Sequence, residues 1–448
     1  MAKVIKLRKG LDIRLKGGAE KVKKDVGLGD ELGLSPESFP GLSPKVIVRE
    51  GDHVKAGDAL FANKKCPSVL FASPVSGIVT SVIRGERRKV LSVKVKPDAR
   101  QAYTDFGVKD VEAMSSSEVI DSLLAAGLFG YINQLPYAVS TTPEVLPKAI
   151  FVSALRDKPL AADFEFELEG NEHDFQTGLT ALSKIAKTYL GIGRGQSLEC
   201  LRRAKDVEVN IFDGPCPAGN VGVHVNHIDP VNKGEVVWTV DPSAVIFFGR
   251  LFNKGFVDLH RTVAVVGSEV ARPAYVNAMV GQKISTLIDG NISGSNVRII
   301  NGNVLTGKKC EPCDFLDAHA SEVTVIPEGD DANELFGWIR PRLNQYSVSH
   351  SYFSWLAKGK EYALDARVKG GERHMIMSGE YDKVLPMDIY GEYLVKAIIA
   401  GDIDKMEELG IYEVAPEDFA LAEFVDSSKL ELQSIVRKGL DMLRKENG

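Results

Sequence analysis

Residues 45–96 constrain the fold more than any other stretch of the chain, because their periodicity and their turns allow only one kind of structure. "KVIVREGDHVKAGDALFANKK" and "SVLFASPVSGIVTSVIRGERRKVLSVKVK" alternate apolar and polar residues, with Gly-Asp and Pro-x-x-Gly sequences between them. Alternation at period two is typical of half-buried strands, and these turn residues end them. The sequence therefore predicts a small unit of short strands over residues 36–100.

Two half-motifs in this unit resemble those of biotin and lipoyl carrier modules, in which two similar sheets form a flattened barrel and a hairpin carries a modified lysine. The half-motifs are Gly51-Asp52 with Gly57-Asp58, and Ser73-Pro74 with Gly77. Counting from either half places the lysine position at Cys66 or Pro67, and neither side chain has an amine to acylate. Lys64 and Lys65 lie close by but lack the flanking methionines that the biotin-attaching enzyme recognises. We expect a barrel-sandwich hybrid that carries no cofactor.

The rest of the chain divides by its patterns into further domains. The strand signals "KAIFVSAL" and "VEVNIFDG" alternate with helical patterns such as "FQTGLTALSKIAKTYL", which predicts βαβ units around a mainly parallel sheet. Short strands return from "RTVAVVGSEV" to "NVRIINGN" around a predicted helix in "KISTLIDG", and helical spacing runs from "ANELFGWIRPRL" to "ELQSIVRKGLDMLRKEN". Besides the strand unit over 36–100, the predicted segments are an N-terminal arm (1–35), a Rossmann-like α/β domain (101–257), a small β domain (258–327) and a C-terminal helical domain (328–448).

Composition and charge exclude several classes of protein. The chain has 448 residues, 44% of them hydrophobic, and no apolar run approaches the roughly 20 residues of a membrane-spanning helix. A net charge of -6 gives no electrostatic footprint for nucleic acid. Five thinly spread cysteines suit reduced thiols, and the N-terminus lacks the apolar region of a signal peptide, so we expect a cytoplasmic protein without a transmembrane segment.

One glycine-rich turn raises the question of nucleotide binding. Gly193-Arg194-Gly195 is placed to open a helix after a strand, where backbone N–H groups can hold a phosphate. The third glycine of the dinucleotide fingerprint is replaced by Leu198. An ordinary tight turn is the favoured interpretation.

Two groups of residues are possible metal ligands, and one basic cluster is a possible contact surface. The first metal candidate is Cys216, His224, His227 and Asp229, and the second is Cys310, Cys313 and His319. Their spacing is loose or incomplete, so we predict no metal site. The basic cluster of Arg84, Arg87, Arg88 and Lys89 is interpreted as a solvated hairpin, with contact to a membrane surface or an acidic partner protein as the alternative.

Long strings of residues across the whole chain resemble one family, the A subunits of the bacterial Na+-translocating NADH:quinone oxidoreductase (Na+-NQR). The matching strings are "KGLDIRLKG", "GDHVKAGDALFANKK", "FASPVSG", "KAIFVSALRDKPLAAD", "GPCPAGNVGVHVNHIDPVN", "VVWTVDPSAVIFFGRLF" and "VLTGKK". The chain is more distantly similar to the C subunit of the Rnf complex and to the NADH-oxidising flavoprotein subunit of complex I. This resemblance implies that residues 258–327 form a soluble-ligand-binding β-grasp (SLBB-like) domain.

Departures from the flavin-bearing relatives fall at three separate sites. In "AGLFGYINQLPY", Ile132, Asn133 and Leu135 stand where those relatives have glycines that admit the flavin phosphate. Arg156 and Lys158 replace acidic positions, and the tail lacks the cluster cysteines. The resemblance therefore implies a subunit without redox cofactor, catalytic residue or metal of its own, while other subunits carry FAD, FMN, riboflavin and iron-sulfur centres.

The same resemblance implies a role and partners. The chain is expected to be a peripheral subunit of the six-subunit complex on the cytoplasmic face of the inner membrane, to contact chiefly the membrane-embedded B subunit, and to support electron transfer from NADH to ubiquinone with sodium export. It is not expected to be catalytic alone. Candidate ubiquinone contacts are Phe129, Tyr131 and Tyr137, with burial in the core as the alternative. The rival functions are a free-standing NAD- or flavin-dependent oxidoreductase and a carboxylase-type carrier.

Overall fold

Strands dominate the first three quarters of the chain. The computed structural model describes residues 2–330, 345–349, 352–357 and 359–447. Its strands, in chain order, are β1 (Lys3–Lys6), β2 (Glu20–Asp25), β3 (Leu32–Leu34), β4 (Pro44–Val46), β5 (His53–Val54), β6 (Ala59–Asn63), β7 (Leu70–Ala72), β8 (Gly77–Arg84), β9 (Val90–Pro97), β10 (Ile132–Leu135), β11 (Val139–Ser140), β12 (Ala149–Ser153), β13 (Thr188–Gly193), β14 (Glu208–Asp213), β15 (Val237–Val240), β16 (His260–Val266), β17 (Ala274–Met279), β18 (Val297–Asn301), β19 (Lys308–Cys310) and β20 (Glu322–Pro327).

Helices lie mainly in the central domain and at the C-terminus. They are α1 (Ser116–Ala125), α2 (Phe164–Leu168), α3 (Glu172–Ile185), α4 (Glu199–Arg202), α5 (Val221–Ile228), α6 (Pro242–Lys254), α7 (Ile284–Ile288), α8 (Tyr381–Val384), α9 (Gly391–Ala400), α10 (Ile403–Glu408), α11 (Ala420–Val425) and α12 (Leu432–Glu446). Short 3-10 helices span Pro36–Ser38, Glu86–Arg88, Val111–Ala113, Phe129–Tyr131, Phe353–Leu356, Ile411–Glu413 and Pro416–Phe419.

Local sequence explains where the principal helices begin and end. Ser115 and Glu118 form a reciprocal capping box at the start of α1. Asp241 accepts a hydrogen bond from the Ser243 amide at the start of α6, Pro242 occupies the first helical position, and Gly255 ends the helix with a positive φ. These signals are local, so they fix the helix bounds before any tertiary contact forms.

A seven-stranded sheet forms the centre of the α/β domain, in the order β1-β14-β13-β12-β15-β10-β11. The strands from β1 to β15 in this order are parallel, and β10 and β11 are antiparallel to their neighbours. The prediction of βαβ units around a mainly parallel sheet agrees with this arrangement.

Helices α3 and α6 pack against each other unusually closely. A Cβ added at Gly178 of α3 would lie 2.1 Å from the carbonyl oxygen of Val245, and one added at Gly249 of α6 would lie 1.7 Å from that of Asp174. Each helix thus places a glycine against the backbone of the other. Only glycine permits this separation of the helix axes.

Two small sheets form the barrel, with orders β3-β9-β8-β5 and β4-β6-β7. Its core contains Phe39, Phe61 and Phe71, whose rings are in mutual contact. The hairpin between β6 and β7 ends at Cys66, which is only 7% exposed and whose Sγ lies 3.3 Å from Ser68 Oγ. The expected barrel-sandwich hybrid is therefore present, with a buried thiol at its tip.

A six-stranded sheet, ordered β19-β18-β20-β16-β17-β2, forms the next domain and carries α7. The predicted helix in "KISTLIDG" is confirmed by α7. The C-terminal helices α8–α12 contribute Tyr381, Leu394 and Leu440 to a core that they share with the N-terminal segment and with Phe212 of β14. The helix predicted from "ANELFGWIRPRL" lies outside the described residues.

The predicted N-terminal arm differs from the structure. Residues 1–35 contribute three edge strands: β1 pairs with β14, β2 pairs with β17, and β3 pairs with β9. Every residue of β2 is exposed, and lysines make up half of that strand. The charged strand β2 lacks the alternation that identifies a half-buried strand, and β1 and β3 are only four and three residues long, so the sequence pattern does not reveal them.

Candidate functional site

A cleft of about 480 Å3 lies at the carboxyl ends of β12 and β15. From β12 the chain continues to β13 on one side, whereas β15 lies on the other side of β12. Such a reversal of strand order opens a crevice at the sheet edge, where α/β proteins bind their ligands. Position alone therefore makes this cleft the candidate site.

Residues from all parts of the fold line the cleft. Ser153 and Thr239 mark the strand ends, and the other lining segments are 37–40, 155–158, 219–221, 301–308 and 317–322, together with Glu417. One cavity is therefore lined by the segment before β4, by the two larger sheets and by the helical domain.

Arg156 is the centre of a buried network on one wall of the cleft. Its Nη1 lies 2.6 Å from Glu167 Oε2, and its Nη2 donates to Ser243 Oγ at 2.9 Å. Burial lowers the pKa of Arg156, but Glu167 and Asp241 outweigh that effect and raise it. The guanidinium is thus fully charged and already paired.

The second network cation comes from the neighbouring sheet. Arg261 Nη2 donates to the same Ser243 Oγ at 3.1 Å, and its Nη1 donates to the carbonyl of Ala318 at 2.9 Å. Ser243 in turn donates to Glu167 Oε1 at 2.6 Å. This network joins the start of α6 to β16 of the six-stranded sheet.

The cleft's charge balance is acidic. Lys158 is paired with Glu417 at 2.8 Å. Three cationic side chains, Arg156, Lys158 and Lys308, line the cleft together with six carboxylates, Glu37, Asp157, Asp241, Asp317, Glu322 and Glu417. A phosphate or pyrophosphate would therefore meet net repulsion, whereas a neutral ligand would not.

Internal carboxylates also occupy backbone amides that could hold phosphate. Glu165 Oε1 accepts from the amides of Ser197 and Leu198 at 2.6 and 2.7 Å, next to the Gly193-Arg194-Gly195 turn. The Arg194 guanidinium pairs with Asp213 at 2.6 Å. Asp157 Oδ2 accepts from the Gly219 amide at 2.8 Å before α5. This partial fingerprint is an internally satisfied turn.

The three candidate quinone contacts do not line the cleft. Phe129 is fully buried and its ring meets Trp238 edge-on at 5.4 Å. Tyr131 is 2% exposed and packs between Phe39 and His319 at 5.3 and 5.5 Å. The half-exposed Tyr137 accepts at its carbonyl from Arg437 Nη2 at 2.6 Å. Phe129 is a core residue, and Tyr131 forms part of the layer behind the cleft.

Two residues that line the cleft each have a buried polar atom without a hydrogen-bond partner. Asn133 Oδ1 and His319 Nε2 are buried and make no hydrogen bond within the described part of the chain. Burial lowers the pKa of His319, so its imidazole is neutral at pH 7. Asn133 stands out in the sequence only as a departure from a glycine loop, and His319 only as a neighbour of two cysteines. Their convergence required the tertiary structure.

The first group of possible metal ligands has other roles. His224 stacks on Phe212 at 3.8 Å and bonds to the Ala218 carbonyl, while His227 bonds to the Val223 carbonyl. Asp229 pairs with Lys148 at 2.8 Å. Within the described residues, no group of three His, Cys, Asp or Glu side chains is arranged to hold a metal ion.

We expect His224 to steepen the acid sensitivity of folding. Burial lowers its pKa from 6.5 to about 3 in the folded chain. Between these values the unfolded chain binds a proton that the folded chain does not, so the free energy of unfolding falls as the pH is lowered from 6.5. His224 binds at most one proton more in the unfolded chain, so it adds at most about 1.4 kcal/mol per pH unit to the pH dependence of the free energy of unfolding. Urea unfolding at pH 7, 6, 5 and 4 measures it.

The control for this prediction is a histidine at an exposed position. His224→Gln should make the free energy of unfolding less dependent on pH, by most of the amount that one proton contributes. His173→Gln should leave that pH dependence unchanged. Equal slopes for wild type and His224→Gln would contradict the prediction.

Family models match three regions of the chain. They are described as the NqrA N-terminal barrel-sandwich hybrid domain (residues 5–98), the NqrA second alpha/beta domain (114–257) and the NQRA C-terminal domain, of SLBB type (262–311). These matches cover the barrel, the seven-stranded sheet and most of the six-stranded sheet.

Full-length relatives have one description, the A subunit of a Na(+)-translocating NADH-quinone reductase. The chain is 35% identical to this protein from Pasteurella multocida over 99% of this chain and 100% of the relative. It is 33% identical to that of Neisseria meningitidis and 34% identical to that of Yersinia pestis, with the same coverage.

Among solved structures, an NAD+-reducing [NiFe]-hydrogenase matches 41% of each chain with a TM-score of 0.31 and 12% identity, which carries no conclusion. No helix in the described ranges is long and apolar enough to cross a membrane. Three family models match successive domains, and relatives about one third identical match over their full length. The chain therefore belongs to the NqrA family, the A subunits of Na+-translocating NADH-quinone reductases.

Proposed function

We propose that this chain is a peripheral subunit, on the cytoplasmic face of the inner membrane, of a Na+-translocating NADH:quinone oxidoreductase. In this role it supports electron transfer from NADH to ubiquinone coupled to sodium export, and its partners are the other subunits, chiefly the membrane-embedded B subunit. The single observation that carries the proposal is 35% identity to an A subunit over essentially the full length of both chains.

We further propose that the protein holds no flavin, nicotinamide or iron-sulfur cofactor of its own. Three features support this: β10 fills the loop where flavin-bearing relatives have glycines, Glu165 occupies the turn amides, and the cleft has an acidic balance. A bound FMN would have to displace these internal carboxylates from their partners. The isolated chain is therefore not expected to be catalytic.

The visible spectrum of the purified full-length chain tests this part of the proposal. We expect no absorbance from flavin or iron-sulfur centres, and no heat on titration with NADH or FMN at millimolar concentration. Stoichiometric flavin absorbance would contradict it and would favour the rival oxidoreductase.

We propose that the cleft is where a ubiquinone ring interacts with this protein. The ring is uncharged, so the acidic balance does not oppose it. His319 and Asn133 line the cavity, and the buried atoms His319 Nε2 and Asn133 Oδ1 lack hydrogen-bond partners in the described part of the chain. A neutral imidazole can donate a hydrogen bond to a quinone carbonyl, and a ligand that bonds a buried unpaired group recovers about 1–3 kcal/mol.

We expect His319→Phe, which keeps an aromatic ring but removes Nε2, to weaken binding of a short-chain ubiquinone by about fivefold to a hundredfold. Fluorescence or calorimetric titration of the purified chain measures the affinity, and His173→Phe at an exposed position is the control. A photoreactive quinone analogue should label peptides that line the cleft. Labelling elsewhere, with unchanged affinity for His319→Phe, would contradict the assignment.

A further inference from the structure

Exposed apolar side chains are concentrated in the C-terminal helical domain. Of eighteen exposed large apolar side chains in the described residues, eight lie between residues 352 and 447. They are Trp355, Leu356, Val368, Ile376, Met377, Tyr390, Tyr393 and Ile399. That segment is less than a quarter of the chain, so its surface differs from the rest. Clustered apolar exposure marks an interaction surface more often than scattered exposure does.

Helix α9 supplies one side of this surface. Its inward residues Leu394, Val395 and Ile398 are buried, which accounts for its place in the domain. On its outward side, Tyr393 and Ile399 are each 56% exposed. Apolar residues on both sides are unusual for a surface helix, which is normally polar toward solvent.

An open groove of about 770 Å3 runs beside α9. One wall is Lys396, Ile399 and Ala400 of α9, and the other is the segment 372–375. This segment is anchored, since the Arg373 amide donates to the Ser428 carbonyl at 2.8 Å and the Ile376 amide donates to Ser428 Oγ at 3.1 Å. The groove therefore exists before any partner binds.

The groove is locally basic in an acidic chain. Arg373, His374 and Lys396 line it together with one carboxylate, Glu372. None of these three basic side chains has a carboxylate within 4 Å in the described ranges, while the whole chain has a net charge of -6. Unpaired cations around apolar side chains complement a partner that is both acidic and apolar.

We propose that this groove, lined by residues 372–375, by Lys396, Ile399 and Ala400 of α9 and by Leu430, is the docking site for an acidic amphipathic segment of another subunit of the complex. The proposal rests on the proposed function, because it requires the chain to be part of that complex. A concave groove with anchored walls accepts an amphipathic helix or strand between its sides.

Charge reversal in the groove tests the proposal in the assembled complex. We would purify the complex through a tag on another subunit and measure how much of this chain is retained. Arg373→Glu/Lys396→Glu should reduce retention at least tenfold at moderate salt, because two attractive contacts become repulsive. The matched control is Arg84→Glu/Arg88→Glu on the exposed β8–β9 hairpin, which should be retained like wild type.

The outcomes separate the inference from the proposed function. If wild type is retained and the groove variant is retained equally, the docking site is wrong but the proposed role in the complex stands. Release of the hairpin variant alone would also overturn the groove and assign docking to the barrel. Failure of the wild-type chain to associate at all would overturn both proposals.

A second measurement does not depend on charge reversal. A photoreactive phenylalanine at Ile399, which lines the groove and is 56% exposed, should crosslink to another subunit, and one at Val108, 71% exposed and far from the groove in sequence, should not. Crosslinking from neither position would overturn the proposal. Binding of the isolated chain to phosphatidylglycerol vesicles that Arg373→Glu/Lys396→Glu abolishes would overturn it in favour of a lipid surface.

Discussion

Replacing Glu167 by glutamine should lower the free energy of unfolding of the α/β domain by about 3–5 kcal/mol. The Glu167 side chain is 2% exposed and holds both the Arg156 guanidinium and the Ser243 hydroxyl at 2.6 Å. Without its charge, Arg156 remains buried with Asp241 at 3.7 Å as its nearest carboxylate in the network. A buried charge left without a close partner is among the most destabilising defects. Urea unfolding followed by tryptophan fluorescence measures the loss.

Two further variants serve as controls for the Glu167→Gln experiment. Glu199→Gln breaks an exposed pair with Arg203 and should change stability little, because both side chains are more than 70% exposed. Arg156→Met/Glu167→Met removes both charges and should cost less than Glu167→Gln alone. An unchanged unfolding midpoint for Glu167→Gln would mean that the pair does not stabilise the fold.

Replacing Gly249 by alanine should destabilise the α/β domain by about 2–3 kcal/mol, although alanine is the better helix former. Within a helix the change from glycine to alanine alone stabilises by about 0.5–1 kcal/mol. Here the new Cβ would lie 1.7 Å from the Asp174 carbonyl oxygen, and that atom belongs to the backbone of α3 and cannot rotate away. The two helices must separate, and the cost of overpacking exceeds the gain in propensity.

Thermal unfolding measures this effect, and Gly195→Ala is the matched control. A Cβ at Gly195 would have no heavy atom within 4 Å, so that variant should unfold with wild-type cooperativity at the wild-type temperature. A Gly249→Ala protein more stable than wild type would show that α3 and α6 are further apart than described.

The barrel and the parallel sheet could be predicted because their signals are local. Turns such as Gly51-Asp52 and strands such as "KAIFVSAL" carry their periodicity within a few residues. The cleft could not be predicted in this way. Asn133, Arg156 and His319 are far apart in sequence and meet only because β10, β12 and the second sheet are assembled side by side. The spacing of these residues along the chain does not show that they are close in space.

The aromatic candidates for quinone contact also show what the sequence alone could not predict. Phe129 and Tyr131 sit two residues apart in an apolar stretch that suits either a ligand pocket or a core. The structure places both behind the cleft wall, and the polar Asn133, two residues further on, reaches the cavity. Phe129 and Tyr131 belong to the short 3-10 helix that precedes β10, whereas Asn133 lies within β10, and the sequence does not show where that helix ends and the strand begins.

The edge strands of residues 1–35 have a consequence for synthesis of the chain. β1 pairs with β14, which ends at Asp213, and β2 pairs with β17, which ends at Met279. Strands β1 and β2 thus leave the ribosome roughly 200–250 residues before their partner strands are complete, a delay of roughly 10–50 s at ordinary rates of translation. During that time an apolar edge strand would invite association between nascent chains. The lysines of β2 keep the waiting segment hydrated and mutually repulsive until its place in the sheet exists.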